Sequence, residues 1–236
     1  MGILFIKASG VRERSMKRTL KVYAIADIHS PDAFSMPELD PDQFDVVVTL
    51  GDIGEDTLDY ISYMSRRVPQ FGVPGGHDRL LPLGVGDLHG KVVTVKGIRI
   101  GGFGGAPKYA DRPFHYDERE VTKQMRRMPP VDLLVTHTPP LATSMDKDPL
   151  HRGYRAFDHY IQRCTPLYLV HGHLEQNYKA QVQHTTVYGI SFRRPLSLCF
   201  DKEIYPHDNH KPKRELSLYP YSWIRCWLRR RRISSA

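Results

Sequence analysis

The sequence predicts an α/β domain whose buried strands deliver Asp and His side chains to one shared edge. Three observations predict it. Continuous apolar runs without clean alternation recur from Lys21 onward, as in strands covered on both faces by crossover helices. Segments with apolar residues at helical spacing lie between them. Finally, five of the runs stop at a short Asp/His/Gly signature, and in open α/β sheets the carboxyl ends of the strands line the ligand crevice.

In chain order, Val22–Ala26 leads into Asp27 and His29, and Val46–Leu50 leads into Gly51 and Asp52. Asp56–Arg67 follows as a helix, with Leu58, Ile61 and Met64 on one side. Val68–Pro74 ends in Gly75, Gly76, His77 and Asp78. Lys91–Phe103 reads as a β-hairpin turning at Gly97, and Tyr116–Met128 as a helix with Val121 and Met125 four apart. Val131–Val135 leads into Thr136, His137 and Thr138, where Pro139 and Pro140 stop the strand. Gly153–Arg163 is a third helix, carrying Tyr154, Phe157 and Ile161. Leu167–Val170 then ends in His171, Gly172 and His173, and Thr185–Ile190 with Leu196–Phe200 reads as a further strand pair. The sum is a two-layered β-rich core covered by helices.

A chain of 236 residues, 40% hydrophobic and 25% charged, suits one soluble α/β domain with extensions. Cys164, Cys199 and Cys226 form no paired motif, which points to reduced thiols and a cytoplasmic home. No apolar run approaches the roughly 18 residues of a membrane span, and Met1–Ile6 lacks the basic lead of a secretory signal. The net charge of +8 sits in the tails: +4 over the first 20 residues and +7 over the last 26, which leaves the body at −3. We expect residues 1–15 to be an extension ahead of a start at Met16, with an edge strand at Ile3–Lys7 as the alternative. Residues 16–205 form the domain and 206–236 a basic tail. Within that tail, Trp223, Ile224, Trp227 and Leu228 beside Arg229–Arg232 suggest an amphipathic helix suited to nucleic acid or an anionic membrane, or else one packed on the domain.

Asp and His together suit a hydrolytic divalent metal site, since hard carboxylate and borderline imidazole complement Zn, Mn or Fe. The ordered set of motifs, from Lys21 to Ile190, resembles the calcineurin-like metallophosphoesterases, whose pattern runs D-x-H, G-D, G-N-H-D/E, H and G-H-x-H. The resemblance implies a four-layer α/β/β/α sandwich, a single domain, and a phosphoesterase acting on a phosphodiester or phosphomonoester. It also implies two divalent ions clamping the phosphoryl group and deprotonating a bridging water. Mn is expected first, with Ni, Zn, Fe or Mg as alternatives. Asp27, His29, Asp52 and the group at 175 would hold one ion, and Asp52, His137 and His173 the other. His77 would protonate or stabilise the leaving group, with Asp78 fixing its imidazole. Two positions depart from the pattern: Gly76 replaces a metal-binding Asn, and Glu175 replaces the last His. On this alignment Gly76→Asn adds a ligand and tightens the second ion.

His171 would share a side with His173 on an extended chain. It reads as a partner orienting the site, a compensating ligand, or a core histidine satisfied by a backbone carbonyl. His151 and Arg152, in the segment after His137, read as phosphate contacts or as solvated loop residues. Two other functions compete with hydrolysis of a small ester. The departures at 76 and 175 suit a weakly metal-binding scaffold on the same fold, and the basic tails suit a nucleic-acid-associated nuclease.

Overall fold

The computed structural model describes residues 17–29, 43–79, 85–144 and 149–201. The N-terminal extension, the alternative strand Ile3–Lys7 and the basic tail lie outside these residues, as does part of the segment before His151. Two sheets stack face to face. The first has five strands: β1 (Arg18–Ala26), β2 (Val46–Thr49), β3 (Gln70–Gly72), β4 (Gly86–Asp87) and β13 (Phe192–Phe200), in the order β13-β1-β2-β3-β4. The second has six: β5 (Val92–Val95), β6 (Ile98–Phe103), β9 (Leu133–Thr136), β10 (Tyr168–His171), β11 (Tyr178–Val182) and β12 (Thr185–Gly189), in the order β11-β12-β10-β9-β6-β5. A two-stranded ribbon, β7 (Ala106–Pro107) with β8 (His115–Tyr116), stands apart. The central strands β1-β2-β3 and β6-β9-β10-β12 run parallel.

Alternation of side chains explains the layers. Along β1, Leu20, Val22, Ala24 and Ala26 join the core between the sheets, while Tyr23 and Ile25 face the opposite way. That outer face is covered by α1 (Glu55–Met64) through Leu58 and Ile61. In the second sheet Leu133, Val135 and Val170 face the inner core. Leu134 and Leu169 instead pack under α2 (Glu118–Arg127) and α3 (Arg155–Cys164). The order of layers is therefore helix, sheet, sheet, helices: the expected four-layer sandwich.

The helices begin where their caps allow. Asp117 and Glu120 exchange side-chain to backbone hydrogen bonds of 2.8 and 2.9 Å, a capping box that starts α2 at Glu118. Tyr116, expected in that helix, belongs to β8. Glu118 in turn accepts from the amides of Arg155 (3.1 Å) and Ala156 (2.7 Å), capping α3. The Lys91–Phe103 hairpin is present as β5 and β6. Thr185–Ile190 and Leu196–Phe200 are strands but not partners. β12 lies between β10 and β11, whereas β13 crosses to the first sheet and runs antiparallel to β1.

Candidate metal centre

All five signatures meet at the carboxyl edge of the two sheets, and the backbone there is bent to present them. After β1 the chain turns through Asp27 at φ 54°, and after β2 through Asp52, also at φ 54°. Each kink is followed by a return to the core: Ile28 and Ile53 pair with one another and are buried under α1. A single left-handed residue thus lifts each carboxylate out of its strand without giving up the hydrophobic anchor beyond it. His173 (φ 71°) and Glu175 (φ 49°) share that conformation. Non-Gly residues adopt it rarely, and it concentrates at functional sites.

The loops after β2 and β3 cross at two glycines. A Cβ on Gly51, itself at φ 91°, would lie 2.3 Å from the Gly75 nitrogen, and a Cβ on Gly75 would lie 2.1 Å from Asp52 Oδ1. This close approach lets backbone amides grip the carboxylates. Asp52 Oδ1 accepts from the His77 amide at 2.7 Å. Asp78 Oδ2 accepts from the amides of Gly75 (2.7 Å) and Asp52 (3.0 Å). Asp78 was expected to hold the His77 imidazole; its carboxylate instead ties these two loops together.

At the centre are Asp52, His137 and His173, whose ligand atoms lie within 4.8 Å of one another. His137 is fully buried; its Nδ1–H donates to Leu50 O (2.7 Å). Its Nε2 faces Asp52 Oδ2 at 3.2 Å and His173 Nδ1 at 3.1 Å. The His173 Nε2–H donates to Leu150 O at 2.9 Å, which leaves Nδ1 bare. Burial opposes charge on His137, but the Asp52 carboxylate first, and Asp27 after it, lift its imidazole to about 9. Burial also pushes Asp52 upward. The His137 charge and hydrogen bond outweigh it and hold the carboxyl well below the usual range. Burial and the neighbouring His137 charge lower His173 to about 3, so it stays neutral. One proton on His137 Nε2 therefore lies where three donor atoms converge.

That donor set fits a divalent ion. A carboxylate and two imidazoles are suitable ligands, and both imidazoles already give their outer N–H to a backbone carbonyl, the arrangement that orients metal-binding histidines. Asp27 borders the cluster. Its Oδ2 accepts from the His173 amide at 2.9 Å, and burial pushes its carboxyl up to about 7. His29 and Glu175 stand at the exposed mouth, 3.5 Å apart, with the His77 ring 5.7 Å from that of His29.

The remaining expected residues divide. His171 is fully buried and hydrogen-bonded at both nitrogens, to Gly172 O (2.7 Å) and the Tyr178 hydroxyl (2.6 Å). With its imidazole lowered to about 4 by burial, it is a neutral core histidine. The His151 ring lies 5.5 Å from that of His173. Arg152 lines a cavity of about 390 Å³ together with Lys108, Tyr116, Tyr154 and Arg155. Gly76 does not open onto free space. A Cβ there would meet the Ala106 Cβ at 2.7 Å and His115 Nε2 at 3.3 Å, so an added Asn collides with β7 and β8. Sequence reasoning missed His115, which is buried, and His89, whose Nδ1 accepts from the Gly104 amide at 3.0 Å. Neither ends an apolar run, the signal that located Asp27, Asp52, His77, His137 and His173.

No family model and no curated protein sequence matches the chain. Solved structures do. TT1561 of Thermus thermophilus aligns over 74% of this chain and 90% of its own, at 15% identity and a TM-score of 0.55. Phosphopantetheinyl hydrolase from Mycobacterium tuberculosis aligns over 81% of this chain and 98% of its own, at 17% identity and a TM-score of 0.50. The likeness establishes the fold, a four-layer sandwich of two sheets flanked by helices.

Proposed function

We propose that this protein is a metal-dependent phosphoesterase, hydrolysing a phosphodiester or phosphomonoester. The observation that carries the reading is the convergence of Asp52 Oδ2, His137 Nε2 and His173 Nδ1 on one point, each held by backbone partners. Four strained residues (Asp27, Asp52, His173 and Glu175) surround it. The Mycobacterium tuberculosis neighbour is itself named a hydrolase, which supports the same chemistry.

In this reading Asp52, His137 and His173 hold one divalent ion, and Asp27, His29 and Glu175 complete a second site around the Asp52 carboxylate. Mn is the first expectation. A divalent ion bound there activates water and screens the phosphoryl charge. The protein supplies everything else. Leu50 O and Leu150 O fix the two imidazoles so that His137 Nε2 and His173 Nδ1 point inward. His77, exposed at the mouth while its amide is anchored on Asp52, donates a proton to the leaving oxygen. Asp78 holds the loop that carries it. Lys108, Arg152 and Arg155 give a cationic wall to the cavity lined by Pro149, the chain neighbour of the Leu150 that holds His173, and that wall suits the anionic remainder of an ester. The acidic residues of that cavity, Asp117 and Glu118, are occupied in capping helices.

A scaffold on the same fold is the second reading, favoured by Gly76 and by the exposed pairing of Glu175 with His29. Metal analysis combined with hydrolysis of bis-p-nitrophenyl phosphate across Mn, Ni, Zn and Mg separates the two. Turnover with at least one ion, lost together with metal in Asp52→Ala, is the expected result. Fewer than one bound ion per chain and no turnover with any of them makes the protein a scaffold.

A further inference from the structure

Gly189 of β12 is in register with two residues, His171 on β10 and Tyr178 on β11. Neighbouring strands stand about 4.8 Å apart, so a full strand separates His171 from Tyr178. A side chain at 189 would fill that interval. The Tyr178 ring lies across it instead: a Cβ on Gly189 would meet two of its ring carbons at 2.2 and 2.4 Å. The hydroxyl thereby reaches over β12 to His171 Nε2 at 2.6 Å.

The direction of this contact follows from the other ring nitrogen. His171 is fully buried and its Nδ1 faces Gly172 O at 2.7 Å. A carbonyl only accepts, so Nδ1 carries the proton of the neutral ring and Nε2 accepts from the Tyr178 hydroxyl. The hydroxyl also lies 3.0 Å from Thr143 Oγ1, in the short turn Leu141–Thr143. That turn belongs to the chain running from His137 toward Leu150, whose carbonyl accepts from His173 Nε2–H.

These bonds converge on one peptide unit, Gly172–His173. Its C=O accepts from His171 Nδ1–H and from the Leu174 amide at 2.9 Å. Its N–H donates to Asp27 Oδ2 at 2.9 Å. The plane that carries His173, at φ 71°, is therefore gripped at both ends, and the grip at the carbonyl end depends on a ring that Tyr178 holds.

We propose that Tyr178 and His171 are positioning residues for His173: the hydroxyl fixes the His171 ring, and that ring fixes the peptide from which His173 points its Nδ1 at Asp52 and His137. This rests on the reading that Asp52, His137 and His173 bind a divalent ion. Gly189 has a part in the same device, since only a residue without a side chain lets the tyrosine cross its strand.

The test uses the full chain stripped of metal by chelation, then titrated with Zn against a chromophoric chelator. Tyr178→Phe keeps the ring over Gly189 and loses the hydroxyl. Its Zn affinity is expected to fall about 10-fold, the lower end of the loss that follows removal of a group orienting a metal ligand. His171→Asn, which lacks the atom that Tyr178 reaches, should lose at least as much, and the double variant no more than His171→Asn alone, because the two groups act through one bond. Tyr168→Phe is the control. It removes a hydroxyl bonded to Cys199 at the far end of β10, so it should lower Tm and leave Zn affinity unchanged. Wild-type Zn affinity in folded Tyr178→Phe, or an equal loss in Tyr168→Phe, overturns the proposal while the metal reading stands. A wild type that binds no Zn overturns both. If Tyr178→Phe fails to fold, ¹⁵N-histidine spectra of the metal-free wild type decide. His171 must carry its proton on Nδ1, and a proton on Nε2 refutes the arrangement.

Discussion

Gly76→Asn separates the sequence reading from the structural one most sharply, because the two predict opposite signs. By motif alone the new amide restores a ligand. In the structure its Cβ would sit 2.7 Å from the Ala106 Cβ. Carbon atoms pack at about 3.5–4.0 Å, so roughly 1 Å must be found in a buried strand whose amide is already bonded to Phe114 O. His115 Nε2, at 3.3 Å, blocks the other side. Backbone strain does not enter, since Gly76 is not among the residues at positive φ. Overpacking of this kind costs about 1–3 kcal/mol. For a chain of this size each kcal/mol lowers Tm by about 2–4 °C, so the expected loss is about 2–12 °C. The assay is thermal unfolding of Gly76→Asn alone and combined with Ala106→Gly, which removes the nearest methyl. The double variant should recover much of the loss, a coupling typical of residues in contact. Metal affinity should not rise in the single variant, because the added side chain meets β7 and β8. A variant as stable as wild type that binds metal more tightly would refute the packing argument.

Other perturbations probe the rest of the site. His77→Ala should retain its metal, since only the backbone amide touches Asp52, while turnover of an ester falls about 10²–10⁴-fold; loss of metal would make His77 a ligand. Gly51→Ala should lose about 2–6 kcal/mol in denaturant unfolding, the sum of positive-φ strain and a collision with the backbone of Pro74 and Gly75. Wild-type stability there would mean that the two loops do not cross. Metal affinity should climb with pH. His137 has a raised pKa of about 9, so its extra stabilisation of the metal-free protein is complete below about 6.5 and lost as pH rises through 9. An incoming ion must displace that proton. Asp27, raised to about 7, adds to the same trend at lower pH, whereas His173, lowered to about 3, releases nothing. Calorimetry in buffers of different ionisation enthalpy measures the protons released; affinity independent of pH between 6.5 and 9 would mean that His137 is not a ligand.

What the sequence made legible was whatever a short local pattern could encode. The parallel strands announced themselves as apolar runs, and their polar stops fell at one edge because parallel strands share a direction. Pairing was less visible. Thr185–Ile190 and Leu196–Phe200 are close in sequence, yet β13 needs only the short segment Ile190–Ser191 to cross to the other sheet, and no residue there signals a change of layer. β11, with its alternating exposure, carries too little apolar character to be noticed. Contacts between loops were hidden for the same reason. Asp78 reads as an orienting carboxylate beside His77 until the crossing of Gly51 and Gly75 brings two amides within its reach. His115 is separated from Gly76 by 39 positions, and only the β7–β8 ribbon brings them together.

The balance between enzyme and scaffold turns on strain. Among the described residues, four of the nine non-Gly residues at positive φ are Asp27, Asp52, His173 and Glu175, all at the candidate metal centre. Each such residue costs on the order of 1–3 kcal/mol unless its surroundings impose it. Here the surroundings do: the Ile28–Ile53 bridge, the amide bonds to Asp27 and Asp52, and the crossing glycines all hold the kinks in place. A protein using this fold only as a docking surface gains nothing from three donor atoms forced within 4.8 Å of one another, or from a buried imidazole whose hold on a proton the carboxylates beside it strengthen. Glycine at 27 or 52 would relieve the backbone and remove the electrostatic burden together. The proposed metal-dependent phosphoesterase would account for the retained strain, through an ion bound by the converging donors. On that argument the departures at 76 and 175 leave the converging trio of Asp52, His137 and His173 in place.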